Sequence, residues 1–536
     1  MFEQSLNPTG HLWLTILAAL VPLVVLIFML AVFRITAWLA STLAGIVTIL
    51  VGIVVWHAPL ANTLKSYLFG GLTGIWSIDW ITFWALIIFN TLVLTGSFGR
   101  FKDWMVHHAT ADIRIQTIML AWAFGALLEG LVGFGFPWAV VVPILVGLGI
   151  ADLEAIRVAA LANNAPVSYG ALGVPIIGLA AVTGLPLMAL SRSIGNVVAI
   201  LALLPPWVLI YLVSGWEGVA EAWPLAIVGS LSYIAGQWPV AHYLGPYLPD
   251  ISGALVSFWL LFLLVKVWRP KTIRGFGGAP LAPAAAARNG SGPVSAREAF
   301  SAWLPYIVLI LVVVAWTGPW SPLPAISWLK LSVATKSSVT GKTLASTFNF
   351  APFTGGTSIL ASWLVILLIF RPSAQILKQV FSKTFKQMWG ALLVAFFIFA
   401  LAYIFVYTGM ANSLAFGFSK MGVFFVVVAP ILGWIGVALS GSNTSTNAMF
   451  GPVQMVTGRL LNLPVLLLPT LNSVGAEVGK PIAPQTASVG VSTSKLVRSE
   501  GQVIRHNMGW TLIVLAYLIV IAVVIYRFFP SWMSLG

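Results

Sequence analysis

Cysteine is absent from the sequence, which excludes disulfides, thiolate metal sites and cysteine nucleophiles. Charge is nearly as scarce: 7% of the 536 residues are Asp, Glu, Lys or Arg, against roughly a quarter in an average soluble domain. So few charges cannot clothe a globule of this size in water, and most of its surface must face lipid. Acids are scarcest, 13 against 27 Lys and Arg, for a net charge of +14. That excess does not point to nucleic acid, because the basic residues sit in short segments between apolar runs, as cytoplasmic loops of membrane proteins do. There is no P-loop, so ATP does not drive the process directly. The His residues, among them His107 and His108, lack metal-ligand spacing. No cofactor and no metal are expected.

What is present is apolar: 60% hydrophobic residues, with 24 Trp and 32 Phe. Runs of spanning length recur from residues 12–32 and 35–55 through to 510–526. The first is too long for a signal h-region and reads as a retained helix. Counting the runs interrupted by Gly and Pro, the pattern predicts an all-α polytopic membrane protein with about 12–14 transmembrane helices.

Residues 266–300 are basic and rich in Gly, Ala and Pro. They read as a flexible cytoplasmic linker between two transmembrane repeats, residues 1–265 and 301–536. The basic loops at residues 100–114 and 371–386 belong on the same side, which leaves the N-terminus outside. Residues 319–352 then also fall outside, in conflict with their Lys330, Lys336 and Lys342.

Each half has a helix that its own residues interrupt. In the first, Glu129 is followed by Gly130, Gly133, Gly135 and Pro137, which no continuous helix tolerates. In the second, Ser440, Ser442, Asn443, Thr444, Ser445, Thr446 and Asn447 surround Gly441; side chains so polar line a cavity or pack inside protein. A second broken element follows each. The first contains Asn163, Asn164 and Gly-Val-Pro-Ile176, the second Glu477, Lys480 and Gly-Lys-Pro-Ile482. With the loop sides above, the repeats are inverted, with discontinuous helices or hairpins meeting at the midplane, the usual setting of a secondary transporter's substrate site. A helix stopped there offers free N–H groups and partial positive charge to a carboxylate. The alternative is that the small and polar residues only pack helices together.

Glu129 reads either as a proton carrier or as a structural carboxyl capping backbone N–H groups. Either Lys480 is an attractor for an anion, with Glu477 as a protonatable partner, or the two form an internal salt bridge or are loop-facing charges. A channel would need a continuous polar pore. Saturable uptake would separate a carrier from a channel. An intramembrane enzyme would need convergent catalytic groups, and the sequence has neither a His-Glu pair at metal spacing nor a nucleophile with a nearby base.

At these residues the sequence resembles the bacterial lactate permease family. The resemblance runs from Leu-Asn-Pro-Thr-Gly10 to the last helix. It is densest at Leu128-Glu-Gly-Leu-Val-Gly-Phe-Gly135, Asn164-Ala-Pro-Val-Ser-Tyr-Gly170, Gly245-Pro-Tyr-Leu-Pro-Asp250, Gly441-Ser-Asn-Thr-Ser-Thr-Asn447 and Gly479-Lys-Pro-Ile-Ala-Pro-Gln485. It implies a carrier that imports lactate and glycolate with protons across the bacterial inner membrane. The expected substrate contacts are Gly130, Gly133, Asn163, Asn164, Ser440, Ser442, Asn443, Thr444, Ser445, Asn447, Lys480 and Gln485. The expected proton-coupling residues are Glu129 and Glu477. In one departure, the family commonly has Asp where this chain has Asn443, which cannot release a proton. A carrier for another organic anion, coupled to Na⁺, is the alternative this leaves open.

Overall fold

The computed structural model describes residues 1–108, 110–133, 135–281, 296–496 and 498–535. Among them, nine helices are long and apolar enough to cross a bilayer. A tenth span forms if Asp152–Ala162 and Val167–Thr183, bent by 68° at their junction, count together. Shorter apolar helices, Phe136–Gly147 and Gly355–Phe370, stand beside them. The difference from 12–14 lies in how interrupted helices are counted.

The first helix, Leu12–Ala31, illustrates the membrane logic. Leu14, Leu17, Val21, Val24 and Phe28 form an exposed stripe at helical spacing, while Ala19, Leu23 and Leu26 are buried. An exposed apolar stripe of this length suits lipid and not water. Helix Ala374–Thr408 has 35 residues, about 52 Å at 1.5 Å per residue. It exceeds a bilayer core of about 30 Å, so its first turns, with Lys378, Lys383 and Lys386, project beyond it. The Ser373 hydroxyl caps it by accepting from the Ile376 N–H.

The two halves are interleaved. Helix Leu60–Thr73 and the π-helical turn Gly74–Asp79 lie directly against Ala374–Thr408. A methyl group at Gly70 would overlap the Phe399 carbonyl, and one at Gly74 the Ala395 carbonyl. Glycine is what lets the backbones approach this closely.

A small sheet was not foreseen. Strand β1 (Phe2–Glu3) pairs in parallel with β2 (Leu329–Lys336), which pairs antiparallel with β3 (Thr343–Phe350). Lys336 Nζ meets Glu3 Oε1 at 2.8 Å, and this contact holds the Glu3 carboxyl below its usual range. The Gln4 amide reaches inward to the Val406 and Tyr407 carbonyls. The N-terminus and residues 329–350 therefore share one face, as the charge reading required, and one of the three conflicting lysines has a partner.

On the opposite face, Arg114 is buried and bonds Asp112 at 2.7 Å and Glu221 at 2.9 Å. Arg274 from the linker joins Glu221 at 2.7 Å and Glu217 at 3.3 Å, and Arg114 also bonds the Thr272 carbonyl. The start of the linker is thus docked, with a short turn at Phe276–Gly278, where a flexible connection was expected. The acids that hold it, Glu217 and Glu221, are remote in sequence. Residues 282–295 lie outside the described residues, and the last five of the expected segment, 296–300, open helix Ala296–Thr317.

Candidate transport site

Three helices restart at interruptions and their first turns meet. Helix Phe124–Leu131 ends, Gly133 and Gly135 take φ of +66° and +77°, and Phe136–Gly147 begins. Helix Phe425–Ser440 ends on Gly441 at φ +75°, and Asn443–Leu460 begins with Ser442 as its cap, accepting from the Ser445 N–H at 3.2 Å. Helix Leu467–Gly479 passes through a 3₁₀ turn, Lys480–Ile482, and Pro484–Ser492 follows. A methyl at Gly135 would lie 3.3 Å from Thr486 Cγ2, and one at Gly441 would overlap the Gln485 side chain. The start of Pro484–Ser492 is therefore wedged between the other two starts.

The starts of Phe136–Gly147 and Pro484–Ser492 line a cavity of about 1210 Å³ through Gly135, Phe136, Pro484 and Gln485, together with Val132 and with Ser440 and Gly441 at the end of Phe425–Ser440. Arg34 and Gln387 also line it. Arg34 follows a 20-residue helix that begins near the sheet, so the cavity reaches the face opposite the sheet. N-terminal turns carry partial positive charge and unsatisfied N–H groups, so a carboxylate is favoured here.

Behind this wall the polar side chains form two hydrogen-bonded groups, one around Glu129 and one around Ser473. Lys480 Nζ lies 2.8 Å from Glu129 Oε1, both buried. The Asn163 amide donates to Glu129 Oε2 at 3.1 Å. The Ser168 hydroxyl donates to Glu477 Oε2 at 2.5 Å and lies 3.4 Å from the Ser473 hydroxyl. The Asn443 amide donates to the Ser473 carbonyl at 3.2 Å. Asn447 donates to Ser473 Oγ at 3.0 Å and to the Pro175 carbonyl at 3.1 Å, and accepts from Asn472 at 3.0 Å. The segment carrying Ser168 is bent back by three consecutive left-handed residues, Ala171, Leu172 and Gly173. Two of these are not glycine, a strain that persists only where surrounding contacts impose it.

The expected residues thus divide. Glu129, Asn163, Lys480, Glu477, Asn443 and Asn447 come together, and Asn164 is buried beside them with both amide atoms unpartnered. Ser440 and Gln485 face the cavity, and Ser442 and Ser445 form the cap. The Thr444 methyl packs where a Cβ at Gly178 would touch it. Gly133 lies against Ala171, whereas Gly130 packs on Asp250 and Ile251 and serves helix contact. Lys480 pairs with Glu129 and not with Glu477, its neighbour in sequence. Ser168, Asn472 and Ser473 were not singled out. Each lies inside or beside a broken element, the one signal that could have found them.

Gly170 faces the Glu129 carboxyl so closely that a Cβ there would lie 2.6 Å from Oε1. Gly170→Val is expected to displace Glu129 from Lys480, to cost about 1–3 kcal/mol of stability by overpacking, and to abolish uptake. Thermal melting and substrate uptake measured on the same preparation check this.

Comparison with known proteins agrees with this architecture. Residues 15–529 match the family described as L-lactate permease. The glycolate permease of Escherichia coli (strain K12) is 33% identical, with 96% of each chain covered. The L-lactate permease of the same strain is 30% identical over 96% of each chain. That of Bacillus subtilis (strain 168) is 30% identical over 99% of each. These relatives are permeases and not enzymes, and a multi-pass chain with a polar site inside its broken helices is built as they would be: this protein belongs to the L-lactate permease family.

Proposed function

We propose that this chain imports lactate and related small 2-hydroxy monocarboxylates, such as glycolate, by proton symport across the bacterial inner membrane. The names of its relatives support the substrate class. The observation that carries the coupling is the buried Glu129–Lys480 pair beneath a cavity lined by the starts of Phe136–Gly147 and Pro484–Ser492.

The reasoning is a count of charges. Burying an unbalanced ion costs several kcal/mol. Empty, the pair is neutral. A substrate carboxylate alone leaves the site negative, and a proton on Glu129 alone leaves it positive. With both bound, Lys480 faces the substrate carboxylate, Glu129 is neutral, and the balance is restored. Only the empty and doubly loaded states cross the barrier cheaply, which is what symport requires. The helix N-termini hold the carboxylate, and amides and hydroxyls of the interrupted segments receive the 2-hydroxyl.

In this reading residues 1–265 and 301–536 are inverted repeats, and the N-terminus is external with the linker cytoplasmic. Its support is the matched interruptions in the two halves and the lysines at the start of helix Ala374–Thr408, whose other end meets Gln4 beside the sheet. Counterflow of labelled lactate in proteoliposomes, with pH and Na⁺ varied separately, tests it. Saturable exchange with accumulation that follows the pH gradient is expected. Accumulation that follows Na⁺ and ignores pH overturns the proton assignment.

Glu477 is joined to Asn443 through Ser168 and Ser473, so an acid at either position enters the same polar group. Asn443→Asp combined with Glu477→Gln is therefore expected to keep proton-coupled uptake, and each single change to alter its pH profile. Unchanged profiles in both single variants would leave Glu477 without a coupling role.

A further inference from the structure

Asp250 belongs to none of the roles above, yet it is buried beside them. It opens helix Pro249–Val267, at the end of the Gly245-Pro-Tyr-Leu-Pro-Asp250 motif. One carboxyl oxygen accepts from the Tyr233 hydroxyl at 2.9 Å, and the other has no partner. A Cβ at Gly130 would lie 2.8 Å from Asp250 Cβ, so the base of this side chain abuts the residue that follows Glu129. Glu129, Glu477 and Lys480 are all within electrostatic reach of it.

Other orphaned groups adjoin it. Gln237, one turn beyond Tyr233 on helix Pro205–Tyr243, is buried with both amide atoms unpartnered. A Cβ at Gly195 would lie 2.9 Å from the Tyr169 hydroxyl and 3.6 Å from Gln237 Nε2, so those two polar groups face a common space. The titratable groups around Asp250 are therefore Tyr233, Tyr169, Glu129, Glu477 and Lys480.

The location is as telling as the contacts. Tyr247, three residues earlier, packs on Gly355, which follows β3 by only a few residues. Tyr243 is exposed. Asp250 thus stands between the sheet face and the Glu129–Lys480 pair, whereas the cavity approaches that pair from the opposite face. Around these residues are three carboxyls and one ammonium. Lys480 balances one, and the others reach neutrality only by carrying protons. Buried ionisable residues within membrane spans mark substrate and ion pathways and proton relays.

We infer that Asp250 is a further proton-carrying residue of transport, which passes protons between the sheet face and Glu129. In the inward step the O–H bond of the Asp250 carboxyl breaks, and the proton joins a Glu129 oxygen as Lys480 turns to the substrate carboxylate. Asp250 then regains a proton from water at the sheet face. No electrons move and no other reactant is needed. The inference rests on the proton-symport reading and adds the route to it.

The test uses the full-length protein in proteoliposomes with labelled lactate, comparing wild type, Asp250→Asn and Asp250→Glu. Asp250→Asn is expected to keep counterflow, which needs no net proton movement. It should lose uptake driven by a pH gradient by about a hundredfold, the scale of a missing proton-transfer group. Asp250→Glu should restore that uptake. Gradient-driven uptake unchanged in Asp250→Asn overturns the inference, as does loss of counterflow and driven uptake together in a variant that elutes and melts like wild type. If Asp250→Asn does not fold, Asp250→Glu decides: a normal pH profile there overturns it, and a shifted one supports it. Wild-type uptake indifferent to pH would sink the symport reading itself, a failure distinct from any result with the variants.

Discussion

Lys480→Met is expected to abolish transport and to be among the most destabilising single changes in the protein. Removing the ammonium leaves the Glu129 carboxylate buried with only the Asn163 amide as a partner, and breaking a buried pair from one side costs about 3–5 kcal/mol. Adding Glu129→Gln should recover most of that stability, because the orphaned charge is then gone, but no transport. Melting temperatures of the two single variants and the double variant, read as a thermodynamic cycle, measure this directly. If Lys480→Met melts like wild type, the pair does not carry the charge balance assigned to it.

Glu129→Gln alone should behave differently. It leaves Lys480 without a counter-charge when the site is empty, and a bound carboxylate supplies one. Substrate should therefore bind more tightly, and the empty carrier should return poorly. Exchange is expected to survive while pH-driven accumulation falls by about a hundredfold or more, as when a proton-transfer group is removed. Binding measured by tryptophan fluorescence or calorimetry, alongside counterflow and net uptake, separates these effects. Weaker substrate binding in Glu129→Gln would contradict the competition between Glu129 and substrate for Lys480.

The membrane class was legible because it depends on composition and apolar run length, which need no knowledge of contacts. So were the interruptions, since Gly133, Gly135 and Gly441 break helices through their own backbone preference. The partner of Lys480 was not legible. Local spacing offered Glu477 three residues away, but the helix ends at Gly479 and the 3₁₀ turn redirects the lysine towards Glu129, 351 residues distant. Gly130 looked like part of the site because it sits among site residues; its helix turns it onto Asp250 instead. The sheet was hidden for a related reason. Residues 329–336 alternate weakly, and their pairing with Phe2–Glu3 is a long-range event that no short window contains.

That pairing constrains how the molecule is built. The opening strand can form only after residues 335 and 336 have been made, and the Gln4 amide has nothing to bind until the carbonyls of Val406 and Tyr407 exist. Helix Leu60–Thr73 likewise waits for Ala374–Thr408. The earliest helices to leave the ribosome are thus held in the bilayer without their final neighbours until most of the chain has been synthesised, and assembly closes from both ends at once rather than half by half.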